Sequence, residues 1–251
     1  MLSCIKEEGL ALVLNFFLSL YCWIIISVFT VILGIIAVIT SFFSANISQK
    51  IARLWGKVIL KLLGIKVSVD GLENLDPSKS FLITSNHQSY FDIFVLLAHL
   101  DLDFRFIAKR SLFKIPFLGQ SMKRLGYIPI DRKDLRSALK SVKAGAEALK
   151  NKTSILIFPE GTRSQDGKLL SFKKGGLNMF LKRKHGGIEV GMPALPIVIK
   201  GTVNILRKNS LAIHPGKTVE LHILPPVSSG RENAPVIIEK IEQETRRVLE
   251  S

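Results

Sequence analysis

The sequence predicts an α/β fold: a mixed, largely parallel sheet flanked by helices, behind an N-terminal membrane-embedded helical segment. Three observations predict it. Short β-branched runs recur beyond Gly64, stretches of helical periodicity separate them, and an N-terminal run from Gly9 to Gln49 carries no charge. Alternation of strand and helix patterns is the signature of α/β layering rather than of a sandwich or a bundle.

The N-terminal segment comes first in the chain. From Gly9 to Gln49 there is no charged residue, and Gly9 to Ser44 holds only Gly34 as an internal breaker, with no Pro and no Asn-Gly turn. A two-span hairpin therefore lacks a turn, and the segment reads as one helix. At about 1.5 Å per residue such a helix overshoots a hydrocarbon core of roughly 30 Å, so it tilts, bends or lies along the interface. Spanning and one-leaflet embedding are both open at this point. The residues before it, Lys6, Glu7 and Glu8, are net acidic, and the apolar run far exceeds the hydrophobic region of a cleaved leader, so the segment is expected to be retained.

Next, Ile47 to Leu63 sets Lys50, Arg53, Lys57 and Lys61 among Ile51, Leu54, Trp55, Val58, Ile59, Leu62 and Leu63, an amphipathic basic helix. Its apolar stripe packs either on a protein core or on lipid, with Trp55 at headgroup depth in the second case. The basic residues that follow the apolar run place the rest of the chain on the cytoplasmic side. Residues 1–63 are thus read as membrane-associated helices and 64–251 as an α/β domain.

Within that domain, KVSVDG, FLITSN, FRFIA, YIPID, SILIFPEG, LPIVIKG and TVELHIL read as strands. Tyr90 to His99, Leu135 to Lys150, Gly175 to Lys184 and Val236 to Leu249 read as helices; Leu135, Ala138, Leu139, Val142, Ala146 and Leu149 fall on one stripe. In open sheets of this kind ligands gather in loops beyond the carboxyl ends of the strands.

Composition narrows the partners. Thirty-five Lys and Arg against twenty Asp and Glu give a formal charge of +15, which suits nucleic acid, an anionic lipid surface or phosphorylated substrates. The charge-free N-terminal run decides against nucleic acid and for a membrane bilayer. Two cysteines, Cys4 and Cys22, sit in or beside the apolar run without CxxC or metal-ligand spacing, so neither a disulfide framework, a zinc site nor a redox cofactor is expected.

Two loops carry chemistry. The first, Asn86-His87-Gln88-Ser89-Tyr90-Phe91-Asp92, follows the strand FLITS and opens a helix. Five residues on a helix subtend about 500°, so His87 and Asp92 share no helical face, and His87 stands on the turn. With Ser89 as N-cap, Asp92 lies at N3, where its carboxylate either reaches back to the imidazole or completes a capping box, Ser89-x-x-Asp92. The second loop, Pro159-Glu160-Gly161-Thr162-Arg163-Ser164, ends the strand Ile155–Phe158. It offers turn amides and a guanidinium able to grip phosphate by two bonds. His99, His185, His214 and His222 lack such surroundings and read as surface residues.

Asn-His-x-Ser-x-x-Asp at a strand end, followed some seventy residues later by Phe-Pro-Glu-Gly-Thr-Arg-Ser, resembles the glycerolipid acyltransferases, and the 1-acylglycerol-3-phosphate acyltransferases in particular. Lys109 to Arg132, with Pro116, Gly119 and Gly126 in order, is similar to that family's second motif. Met192 to Ile197 is similar to its fourth, with Gly-Met-Pro where the family usually shows Val-Pro. The resemblance covers residues 80–200. It implies transfer of a fatty acyl group from an acyl-CoA or acyl carrier protein thioester to lysophosphatidic acid, without a metal. It also implies that His87 is the general base, that Asp92 orients and charges its ring, and that Arg163 meets the acceptor phosphate. Thr162 and Gly161 would shape the turn, Glu160 would brace it, and Lys109 and Arg132 would be further phosphate ligands. The chain has no G-x-S-x-G, which favours direct transfer over an acyl-enzyme. Other acceptors compatible with the motifs are glycerol 3-phosphate, another lysophospholipid or a lyso-ornithine lipid; a noncatalytic lipid-binding protein and a thioesterase are the remaining alternatives.

Overall fold

The computed structural model describes residues 2–131, 141, 144–145, 153–181, 184–185, 188–189, 193–227 and 233–251. Helix α1 (Leu2–Thr40) is a single helix, as the absence of Pro and Asn-Gly requires, and helix α2 (Ala45–Leu62) folds back along it. Ser48 Oγ donates to Ala37 O at 3.1 Å near the closed end, and Trp55 Nε1 donates to Thr30 Oγ1 at 3.1 Å farther along. The Leu12–Thr40 stretch of α1 is long and apolar enough to cross a membrane, and with 17% of it buried most of its apolar surface is bare.

Packing decides between the two readings of α2. Ala52, Ile59, Leu60 and Leu63 are buried in the protein core, and the Trp55 ring meets Phe94 edge-on at 4.8 Å. Trp55 therefore faces protein, not headgroups. The approach of α2 to helix α3 (Phe91–His99) is close enough that a Cβ on Gly56 would lie 2.7 Å from Phe94 O.

The seven predicted strands are β1 (Lys66–Asp70), β2 (Leu82–Ser85), β3 (Phe104–Lys109), β4 (Ile128–Ile130), β5 (Ser154–Ile157), β8 (Ala194–Lys200) and β9 (Thr218–Ile223). They form one sheet in the order β1-β9-β8-β2-β5-β3-β4, in which β8–β9 is the antiparallel pair. A small hairpin, β6 (Lys184–His185) and β7 (Ile188–Glu189), and helix α4 (Leu118–Arg124) were not expected from the sequence. Helices α5 (Lys174–Leu181) and α6 (Ala234–Glu250) match two predicted helices within a few residues. The predicted helix Leu135–Lys150 lies almost wholly outside the described residues.

The strand pleat sorts side chains to two cores. Leu82, Ile155 and Ala194 lie in register and face α6 through Ile237, Ile238 and Ile241, whereas Ile83, Leu156 and Leu195 face α2 and α3. Pro196 is tolerated in an interior strand because the β8–β9 ladder stops at Ile197 and Ile223. Its carbonyl still accepts Leu224 N–H at 2.9 Å, and the N–H it lacks is not needed by a paired strand residue. Since β2 and β5 are parallel neighbours with Thr84 opposite Ile157, their carboxyl ends deliver both chemistry-bearing loops side by side.

Candidate active site

The first loop is fixed before it reaches His87. Asn86 acts as a side-chain extension of β2: its Nδ2 donates to Ile199 O and its Oδ1 accepts Ile199 N–H, both at 2.8 Å. His87 is then held by the second loop at both backbone groups. Glu160 Oε1 accepts its N–H at 2.6 Å, and its carbonyl accepts Ser164 N–H at 2.8 Å. The imidazole stacks on Phe158 with centroids 4.0 Å apart and planes 16° from parallel. Backbone and ring are both constrained, so the ring has little freedom to leave its partner.

That partner is Asp92. Its Oδ2 lies 2.7 Å from His87 Nδ1 and also accepts the N–H of Gln88 at 2.7 Å and of Ser89 at 3.0 Å, while Thr202 Oγ1 donates to Oδ1. Asp92 is fully buried, and His87 keeps 14% of its side chain exposed. Four donors converge on this carboxylate in the first turn of α3, where water does not reach it. It fixes the tautomer with the proton on Nδ1, leaving Nε2 as a basic nitrogen with no hydrogen bond among the described residues. Asp92 thus reaches the imidazole and also makes its half of the capping box, because Oδ2 serves the ring and the loop amides together.

Ser89 serves the helix start and a distant segment together. The helix starts at Phe91, whose N–H Ser89 Oγ accepts at 3.3 Å while donating its own proton to Leu206 O at 2.8 Å. The loop is thereby stitched to a distant segment without giving up its local bond.

Glu160 is buried, and desolvation pushes its carboxyl up to about 7, opposed by the N–H bonds from Leu170 and His87 and assisted by the Asp92 charge. Its Oε2 accepts Leu170 N–H at 2.8 Å. Glu160 is thus a tie between the two loops and does not face solvent as a ligand would. Gly161 follows at φ +72°, a left-handed conformation that calls for glycine, while its near neighbour is the flexible end of the Lys173 side chain. Thr162 is exposed beside it. The Arg163 guanidinium lies 3.8 Å above the Tyr90 ring and makes no ion pair among the described residues, so its donors are available to an anion.

Lys109 ends β3 at the same edge of the sheet and is exposed, with no hydrogen bond to His87, Glu160 or Arg163 among the described residues. Arg132 and Met192 lie outside the described residues. His99 is half-buried at the end of α3, where desolvation and then Lys57 hold its pKa down; it is not the surface residue the sequence suggested. The sequence reading passed over Thr202, which is 110 residues from Asp92, and Tyr90, although Tyr90 stands inside the first motif. Tyr90 was legible as an aromatic at a helix start beside an arginine loop. Thr202 carried no local signal.

Residues 66–200 match the Acyltransferase family model. Over 182 residues, 72% of this chain and 49% of the relative, the chain is 37% identical to the 1-acyl-sn-glycerol-3-phosphate acyltransferase LPAT1, chloroplastic, of Arabidopsis thaliana. It is 33% identical to the 1-acyl-sn-glycerol-3-phosphate acyltransferase of Borreliella burgdorferi over 67% of this chain and 64% of that one. The chain spans about half the length of the plant relatives it matches. The crystal structure of the 1-acyl-sn-glycerophosphate (LPA) acyltransferase PlsC from Thermotoga maritima superposes with a TM-score of 0.80 at 30% identity, covering 95% of this chain and 97% of that one. With the matched segment enclosing both loops and six of the seven sheet strands in full, the chain belongs to the Acyltransferase family.

Proposed function

We propose that this chain transfers a fatty acyl group from an acyl thioester to the sn-2 hydroxyl of 1-acylglycerol 3-phosphate, giving phosphatidic acid for phospholipid synthesis. The observation that carries this reading is the buried Asp92 carboxylate bonded to His87 Nδ1, with Nε2 making no hydrogen bond among the described residues, at a loop edge shared with Arg163. Nε2 takes the hydroxyl proton as the oxygen attacks the thioester carbonyl, Asp92 stabilises the imidazolium, and the proton passes to the departing thiolate. Arg163, steadied by Tyr90, receives the acceptor phosphate. The donor is an acyl-CoA or an acyl carrier protein thioester, acting as co-substrate. The names of the relatives support the acceptor, and the absence of a serine elbow supports direct transfer.

Membrane attachment in this reading is to one leaflet, with residues 1–63 as the anchor and 64–251 on the cytoplasmic side. Side contacts support it: between Ser19 and Ala37, about 27 Å of helix, α1 bonds or packs on Ile213, Trp55, Ser121 and Ser48. The apolar part left free of the domain, Leu12 to Leu18, spans about 10 Å, too short for a hydrocarbon core of roughly 30 Å.

The test is acyl transfer by detergent-solubilised protein from labelled acyl-CoA and acyl carrier protein to 1-acylglycerol 3-phosphate, alongside His87→Ala. Phosphatidic acid formed by the wild type and reduced by about 10² to 10⁴ in the variant supports the reading. Full activity in a folded His87→Ala protein would sink the mechanism, and turnover with only a different lysolipid would replace the acceptor.

A further inference from the structure

The connection between β8 and β9 ends in an apolar tip that neither the fold nor the site described above uses. Leu211 is 77% exposed. The tip is nonetheless built, not loose. Ser210 N–H bonds Arg207 O at 3.2 Å, Asn209 takes a left-handed φ of 64°, Ala212 N–H bonds Ser210 Oγ at 3.0 Å, and His214 N–H returns to Ile205 O at 2.9 Å. Helix α1 fixes it further: Trp23 Nε1 donates to Leu211 O at 2.9 Å, and Ser19 Oγ accepts Ile213 N–H at 3.1 Å. Leu211 is thereby pinned beside the stretch of α1 where Phe16, Leu20 and Ile24 are bare, and it continues that apolar surface. A single exposed leucine needs no explanation, but one that extends a long apolar face does.

Charge around the tip has one sign. Arg207 and Lys217 are exposed and Lys208 is half-buried, none of them forms an ion pair among the described residues, and no acidic residue occurs between Thr202 and Thr218. An apolar tip rimmed by uncompensated cations matches an anionic bilayer surface, where the leucine enters the acyl boundary and the cations meet headgroups.

The stem of the same connection reaches the candidate site. Thr202 Oγ1 donates to Asp92, and Leu206 O accepts Ser89 Oγ at 2.8 Å. We propose that the Arg207–Ile213 turn is a second membrane-docking element, separate from α1, which seats on the anionic leaflet and sets the mouth of the His87 site against the lipid from which the acceptor enters. The consequence for activity rests on the lysolipid reading above; the docking itself does not.

Two measurements on the full chain separate these. An environment-sensitive fluorophore is placed at Leu211→Cys, and in a second protein at Lys240→Cys on α6, both in a Cys4→Ser/Cys22→Ala background, with phosphatidylglycerol-containing vesicles. The Leu211 probe is expected to shift to the blue and to be quenched by acyl-chain-labelled lipids, while the Lys240 probe is not. Equal behaviour of the two probes, or no quenching at Leu211, overturns the proposal. In the second measurement, Arg207→Glu/Lys208→Glu and Leu211→Asp proteins are assayed with acceptor in anionic vesicles and in detergent micelles. Vesicle rates should fall by about fivefold for each cation removed and micelle rates should hold. Unchanged vesicle rates, or equal loss in both media, overturn it. A wild type without acyl transfer in either medium would sink the function proposed above, and the probe result then decides docking alone.

Discussion

Glu160 Oε1 accepts the backbone N–H of His87 at 2.6 Å, joining two loops 73 residues apart in the chain. Its other oxygen holds Leu170 N–H, so one buried carboxyl ties the His87 loop to the strand-end turn and to the segment beyond it. The residue expected to brace a phosphate turn therefore also positions the imidazole.

Glu160→Gln tests this tie. An amide oxygen can accept only one of the two N–H donors, leaving the other facing an NH₂ group at a cost of about 1–3 kcal/mol. The expected result is a lower kcat with a smaller change in the KM for either substrate, because ring placement is lost before phosphate binding. A rise in acceptor KM alone, with kcat retained, would return Glu160 to the phosphate side.

The pH dependence of stability follows from the same group. Unfolded, the carboxyl ionises near its ordinary 4.5; folded, near 7. Between those values the folded chain keeps a proton that the unfolded chain has released, so the contribution is whole below the lower value and is lost as pH rises through the higher one, on the order of 3 kcal/mol in all. Denaturant melts of wild type and Glu160→Gln from pH 4.5 to 8 should show the wild type losing ground to the variant as pH rises. A constant difference would refute the shift.

Asp92→Asn should be milder than His87→Ala. The Oδ2 position receives three donors and Oδ1 receives a rotatable hydroxyl, so asparagine can keep its oxygen toward His87 and turn its NH₂ to Thr202, whose Oγ can accept. The tautomer survives while the charge that supports the imidazolium is lost. Thr202→Val removes a bond to a charged carboxylate in the wild type but only a neutral one in Asp92→Asn, so the double change should cost less than the two single changes combined, read as kcat in a double-mutant cycle. Strict additivity would argue against the Asp92–Thr202 bond.

Arg163 and Tyr90 form the last pair to test. Tyr90→Phe keeps the ring under the guanidinium and should leave kinetics within about twofold, whereas Tyr90→Ala removes a contact worth roughly 0.5–2 kcal/mol and should raise the KM for the phosphate-bearing acceptor. Arg163→Lys should do the same by losing the two-bond fork. Equal effects on acceptor and acyl donor would contradict the assigned role.

The sequence by itself determined the sheet strands, the unbroken α1 and the two loops, though not α4 or the β6–β7 hairpin. Periodicity and turn chemistry are local, so all seven sheet strands, the unbroken α1 and the placement of His87 and Arg163 at strand ends were legible from neighbouring residues. Tertiary structure alone decided which side of α2 meets protein, that Ser89 reaches Leu206, and that Thr202 and Glu160 hold the Asp92–His87 pair. The partner of a buried polar atom is set by which strands lie side by side and in what register, and that register joins segments more than seventy residues apart, beyond the reach of any local pattern.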